Sequence, residues 1–279
     1  MDERRGRWAA VGALAGVALV LAVAGALLPQ GVFWHSDEGA KFLQMVNLRW
    51  GPDGLDTSIY YPGRALDPLL QFVPFHPKQY HSDAAGQIYL QWPIFLALFT
   101  RPLYDLLGWA GLYVLPWAGA LAACWLTYRL ARAVGAPPGW AWVAIPLLGL
   151  TTPLGFYSWV FFEHTLAAAL VAGAALLIVR GLPQQDWRRL AGAGALVGAG
   201  IYLRSELYIL VLAAGGLVAV RAFAALLPGD DRRPALDRAA AWRVVRLGGA
   251  GLVGLLIVLL PLWGYYAASA GGPLPQHAT

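Results

Sequence analysis

Two acids, Asp37 and Glu38, follow a run from Trp8 to Trp34 that holds no charged side chain. Carboxylates beside so long an apolar run are costly to desolvate, so they suggest a task beyond solubility. A carboxylate placed there can serve as a general base toward a hydroxyl at the membrane surface. Other residues share this isolation. Glu163 is the only acidic or basic residue, His aside, between Arg132 and Arg180, and His164 follows it. Arg204 and Glu206 stand in Gly200-Ile201-Tyr202-Leu203-Arg204-Ser205-Glu206, between two apolar stretches. A guanidinium matches phosphate oxygens bidentately, which gives Arg204 an anion-binding chemistry. Lys41, four residues after Asp37, lies on the same helical face and can either pair with it or contact a lipid phosphate.

Each of these residues also has a plainer reading. Ser36 can cap a helix whose first turn holds Asp37 and Glu38, where acids favour the helix dipole. Capping and function are compatible, because a capped, fixed carboxylate is a well-placed base. Glu163 can equally be a helix-start acid, though an acid in so apolar a setting favours function. His164 reads as an interfacial or orienting residue rather than a metal ligand. Arg204 and Glu206 can form an internal ion pair at a helix break. His76, His81 and Asp83 match no strong metal-ligand spacing, so neither a metal site nor a cofactor is expected.

The elements that must position these groups follow from composition. The 279 residues are 59% hydrophobic and only 13% charged, about half the charged share of an ordinary soluble domain. Charge-free stretches run over Trp8–Trp34, Leu106–Tyr128, Ala133–Phe162 and from Leu247 to the C-terminus. A helix needs roughly 20 apolar residues to cross a bilayer, so the pattern predicts an all-α, polytopic transmembrane bundle. Apolar segments near 8–30, 88–107, 110–131, 138–157, 163–180, 189–203, 206–226 and 247–268 set the expectation at about 7–8 spans. Arg4, Arg5 and Arg7 precede the first segment, but it is longer than a signal-peptide core and further spans follow, so it reads as a retained helix. The single cysteine, Cys124, allows no intramolecular disulfide and reads as a packing residue.

Charge distribution gives orientation. Twelve of the 20 Lys and Arg fall at Arg4, Arg5 and Arg7, at Arg180, Arg188 and Arg189, and from Arg221 to Arg246. Basic clusters beside apolar segments mark the cytoplasmic side, so the net charge of +5 does not indicate nucleic-acid binding. The N-terminus and the Arg-rich loop 227–246 are therefore expected inside, in a bacterial or archaeal cell membrane. The stretch Phe33–Asp105, with seven acids against five bases, is expected outside. It contains a long loop, about 31–86, and a loop of that length is usually functional. Asp37 to Trp50 reads as an amphipathic helix in the interface, with Phe42, Leu43, Val46 and Trp50 on one face and Asp37, Lys41 and Gln44 on the other. Strict alternation of spans up to residue 180 would put the Arg180 end outside, so either one segment between 88 and 157 does not cross completely or the Arg rule misleads locally.

Several sequence classes are absent. No Gly-rich nucleotide loop of the Walker or Rossmann type occurs, and neither H-E-x-x-H nor G-x-S-x-G is present.

A basic N-terminus, one span and then Asp37-Glu38 at the head of a long outer loop resembles the GT-C superfamily of membrane glycosyltransferases. Protein O-mannosyltransferases and aminoarabinose lipid A transferases are the nearest group. Glu163 stands where that superfamily often has a second acid, and Tyr202-Leu203-Arg204-Ser205-Glu206 is similar to its Arg-Pro-Glu stretch, with Ser205 in place of Pro. Gly271-Gly272-Pro273-Leu274-Pro275 resembles a Gly-x-Pro-Leu-Pro loop of bacterial members. The resemblance implies one GT-C-like module over 1–279, with 31–86 as its catalytic loop. Members usually continue for several more helices, so an N-terminal portion of such an enzyme is one expectation.

The resemblance also implies a polyprenyl-phosphate-linked sugar donor in the outer leaflet and a lipid, glycan or protein acceptor. Asp37 would be the base and Glu38 its support, while Arg204 and Lys41 would hold the donor phosphate. Glu163, His164 and Glu206 would form a second acidic or acceptor site. Direct displacement predicts inversion. A transporter or lipid-sugar flippase with Arg204, Glu206 and Glu163 along a path is the alternative, though no repeat relates the two halves. A polysaccharide polymerase or ligase would usually carry its long outer loop late rather than after the first span.

Overall fold

A computed structural model describes residues 3–29, 31–52, 54–73, 75, 79–82, 87–224 and 238–270. The fold is mostly helical. Its helices are α1 (Glu3–Leu27), α2 (Ser36–Val46), α3 (Phe95–Leu107), α4 (Trp109–Ala133), α5 (Ala144–Thr151), α6 (Pro153–Tyr157), α7 (His164–Gln184), α8 (Trp187–Ile201), α9 (Tyr208–Ala224) and α10 (Arg238–Ala270). Among the described residues, α1, α4, α7 and a Trp242–Tyr265 portion of α10 are long and apolar enough to cross a membrane. The segments expected at 138–157, 189–203 and 206–226 form shorter helices.

Contacts between helix ends give the chain's course. Near the start of α1, Glu3 pairs with Arg132 at 3.6 Å, which places the end of α4 beside it. A Cβ on Gly6 would press on Pro138, so the chain after α4 begins at the same level. From there α5 and α6 run back along α1. Gly149 packs on Val17, Gly155 on Leu21, and the Trp159 indole donates to the Leu21 carbonyl at 2.8 Å. Helix α7 returns, and α8 comes back beside it. Helix α10 runs parallel to α8: Gly194 meets Gly251, Gly198 meets Val258, and the Tyr202 hydroxyl donates to the Val258 carbonyl at 2.7 Å.

Helices α8 and α10 approach backbone to backbone. A Cβ at Gly194 would collide with the Gly251 carbonyl oxygen. Small residues allow such close approach where water supplies no hydrophobic drive between helices. A second core joins α1, α4 and α5 through Val17, Leu21, Ala120, Cys124 and Ile145; buried Cys124 is a packing residue, as expected. Leu19, Leu150, Ile257 and Leu260 stay exposed on the outer flanks, a surface that suits lipid.

Segment 88–107 yields only the 13 residues of α3, with Pro102 inside it. Gly108, at φ 59, turns the chain directly into α4, where Gly111 packs against the Leu103 carbonyl. The Arg101 guanidinium donates to the carbonyls of Met45 and Val46 at 3.2 and 3.1 Å, which fixes α3 to the end of α2.

The outer loop adds two antiparallel hairpins. Strand β1 (Arg49–Gly51) pairs with β2 (Gly54–Asp56), Arg49 opposite Asp56, and β3 (Tyr80–Ser82) pairs with β4 (Ile88–Leu90), Tyr80 opposite Leu90. Ile59, Ile88 and Leu90 pack over Ala40 of α2. Asp67 accepts backbone N–H groups of Gln71 and Phe72, both at 2.8 Å, and so shapes the turn between.

Helix α2 departs from expectation in three ways. It ends at Val46, and Trp50 lies exposed on β1 rather than on the helix. Its N-cap is His35, whose Nδ1 accepts the Asp37 N–H at 3.2 Å, and Ser36 is the first helical residue. The buried face is the polar one: Glu38, Lys41 and Gln44 turn inward with Ala40 and Met45, while Leu43 is exposed. The inversion has a physical cause. Glu38, Lys41 and the Gln44 amide nitrogen each find a partner beneath them, so α2 covers a polar site rather than lying on lipid. Residues 225–237, His76, Asp83 and Gly271–Pro275 lie outside the described residues, and so do the expectations that rest on them.

Candidate functional site

The turn 158–163 is where the site is built. Trp159 anchors it to α1, and the Phe161 N–H donates to Glu38 Oε1 at 2.8 Å. Glu38 Oε2 accepts the Trp34 and His35 N–H groups at 2.7 and 3.1 Å. This carboxylate has no exposed surface. It thus ties the exit of α1, the start of α2 and the turn before α7 into one block. Glu38→Gln replaces one acceptor oxygen with an NH2 that must face a backbone donor, which should lower stability by about 1–3 kcal/mol. Thermal unfolding in detergent measures it, and an unchanged midpoint would remove Glu38 from this role.

Above that block lies a cleft of about 410 Å³ lined by Asp37, Lys41, Glu163, His164, Arg204 and Glu206, with Trp92, Tyr157 and Phe162 among its aromatic walls. Six residues singled out on sequence grounds, from three separate stretches, therefore meet in one place. Glu38 does not line it.

Lys41 Nζ donates to Glu163 Oε2 at 2.6 Å, with both side chains almost wholly buried. The ammonium also sits 4.1 Å from the centre of the Phe162 ring, a cation–π contact. Burial lowers the Lys41 pKa below its ordinary value, against the opposing pull of Glu163. No salt bridge joins Lys41 to Asp37 among the described residues; the lysine is committed across the site instead.

Glu163 Oε1 lies 3.9 Å from Arg204 Nη1, so one carboxylate stands between two cations. Arg204 Nη1 is also 2.6 Å from His164 Nε2. A guanidinium only donates, so the ring nitrogen facing it offers its lone pair and His164 is neutral. Tyr157 stacks on the His164 ring at 4.2 Å and Phe162 at 5.0 Å. His164 is thus an orienting residue for Arg204. On its other side Arg204 Nη2 donates to Glu206 Oε1 at 2.5 Å, in the backbone break after α8 where Leu203 and Arg204 both bond the Gly200 carbonyl.

Asp37 is the carboxylate with least commitment. Its side chain is 29% exposed, and its nearest polar neighbours are His35 Nδ1 and Gln79 Nε2, both at 3.5 Å. It faces the cleft with room for an incoming hydroxyl. Sequence reasoning missed the aromatic walls and His35. His35 adjoins the acids and could have been found that way, whereas Trp92 and Tyr157 carry no signal beyond being aromatic. Among the described residues no group of three or more His, Cys, Asp or Glu could hold a metal.

No protein-family model matches the chain, and neither curated proteins nor solved structures give a match. The site therefore has to be read from its own geometry.

Proposed function

We propose that this chain is a membrane glycosyltransferase that moves a sugar from a polyprenyl-phosphate donor to an acceptor hydroxyl outside the cytoplasm. The observation that carries the reading is the meeting of a loosely held carboxylate, Asp37, with Arg204 and Lys41 in one cleft. Asp37 takes the proton of the acceptor hydroxyl as the hydroxyl oxygen attacks the anomeric carbon. The bond from that carbon to phosphate oxygen breaks on the opposite side, so the product is inverted. Negative charge gathers on the leaving phosphate, where Arg204 meets it and Lys41 adds a buried positive field. The donor is already activated, so no nucleotide site is required.

The membrane arrangement supports the same reading. Arg4, Arg5, Arg7, Arg132, Arg180, Arg188 and Arg189 collect at the end of the bundle away from the cleft, which makes that end cytoplasmic. Counting α8, α9 and the α5–α6 segment as crossings beside the four long apolar helices gives seven, with α3 on the outer side. This count restores the parity that strict alternation lacks. The charged side chains at mid-depth that a flippase path would use are missing from the described spans, which favours transfer at the surface.

Membranes containing the protein should transfer label from a polyprenyl-phosphate sugar to an endogenous acceptor. Arg204→Gln should raise the donor KM about ten- to hundredfold, the worth of a charge-assisted contact, with the acceptor KM unchanged. Unaltered donor KM and turnover would reject the phosphate role.

A further inference from the structure

Arg204 is the cation of the cleft that faces its open side, yet it is already occupied. Its Nη2 holds Glu206 Oε1 at 2.5 Å, its Nη1 faces His164, and Glu163 lies 3.9 Å away. Glu163 is buried and bound to Lys41, so it cannot leave. Glu206 differs. Its side chain is 60% exposed, and its partner Arg204 holds its pKa down together with a backbone hydrogen bond, against the effect of burial. Counting Asp37, Lys41, Glu163, Arg204 and Glu206, with His164 neutral, the cleft holds three negative and two positive charges. A phosphate entering that set meets a net repulsion unless one carboxylate withdraws, and Glu206 is the one free to swing into water.

We propose that Glu206 is a resident competitor for the phosphate position on Arg204, displaced by an entering phosphate group and returning to expel it. This inference rests on the anion-binding role given to Arg204 above. It assigns Glu206 to release rather than to acceptor binding. A phosphate monoester, the lipid product, carries more charge than the diester donor and would hold Arg204 harder. A returning carboxylate lowers the retention of that product by taking over its hydrogen bonds.

The test is equilibrium binding of farnesyl phosphate to the purified full chain in detergent, with farnesol and inorganic phosphate as parallel probes. Glu206→Gln and Glu206→Ala should both tighten farnesyl phosphate by roughly two- to fivefold, the worth of one exposed ion pair. Farnesol binding should not change. Tightening of inorganic phosphate to the same degree would show that the headgroup alone is read; tightening only of the farnesyl ester would show that the lipid is needed to reach Arg204. Either result supports competition by Glu206. Unchanged or weaker farnesyl phosphate binding in both variants overturns it. Arg204→Gln separates the two claims. If it abolishes binding while the Glu206 variants do nothing, the anion site stands and the competitor role fails. If Arg204→Gln binds as the wild type does, the anion site itself fails.

Discussion

Replacing Asp37 with Asn should reduce transfer by about 10²- to 10⁴-fold, the usual contribution of a positioned general base. The substitution is nearly isosteric and removes one negative charge. Folding should survive it, because the bond that caps α2 at this position uses the Asp37 backbone N–H and His35 Nδ1, not the Asp37 carboxylate. Among the described residues the carboxylate meets two polar groups, both at 3.5 Å, and an amide can satisfy either. Donor KM should move little, since Arg204 and Lys41 are untouched. Loss of turnover with intact donor binding and an unchanged unfolding midpoint would therefore isolate proton removal. Turnover within a few-fold of wild type would reject Asp37 as the base and leave the cleft as a binding site only.

The second large effect concerns stability. Lys41→Met should lower it by about 3–5 kcal/mol, because Glu163 would remain charged in a buried position without its closest partner. Arg204 at 3.9 Å offers partial compensation, which places the expected value toward the lower end of that range. The companion variant Lys41→Met with Glu163→Leu should recover most of the loss. Burial already opposes the lysine's charge more strongly than Glu163 favours it, so removing both charges relieves two desolvation penalties at once. Thermal unfolding in detergent of both variants decides the matter. A single variant as stable as wild type would mean that the pair does not hold α2 in place. A double variant as unstable as the single one would point to packing around Phe162 instead.

The sequence was most readable where charge is scarce. Glu163, Arg204 and Asp37 stood out because each interrupts or borders a long apolar run, and an isolated ionised group near lipid has few uses. That logic identified residues 122 or more positions apart that meet in one cleft, such as Lys41 and Glu163. It failed for α2, which its pattern assigns to the interface but whose polar residues turn inward. Periodicity tells which side chains share a face but not which face is covered, and here the covering partners lie in a turn far along the chain. Glu38 shows the same limit. Its type and position fit a supporting acid, but only the backbone N–H groups around it reveal a fully buried tie. The shortness of α3 was not legible, because it depends on the Gly108 turn and on the Arg101 contacts with the end of α2.

That tie has a consequence for the order of events during synthesis. Glu38 bonds Phe161 across 123 residues of chain. At about 5–20 residues per second, a ribosome needs roughly 6–25 s to supply the second half of that bond. Through this interval Asp37 is already made, but the turn that fixes its neighbour does not yet exist. A nascent chain halted before α7 would carry Asp37 without the rest of the cleft. Assembly of the site thus waits on insertion of a distant helix, and a stalled or misinserted chain lacks it by construction.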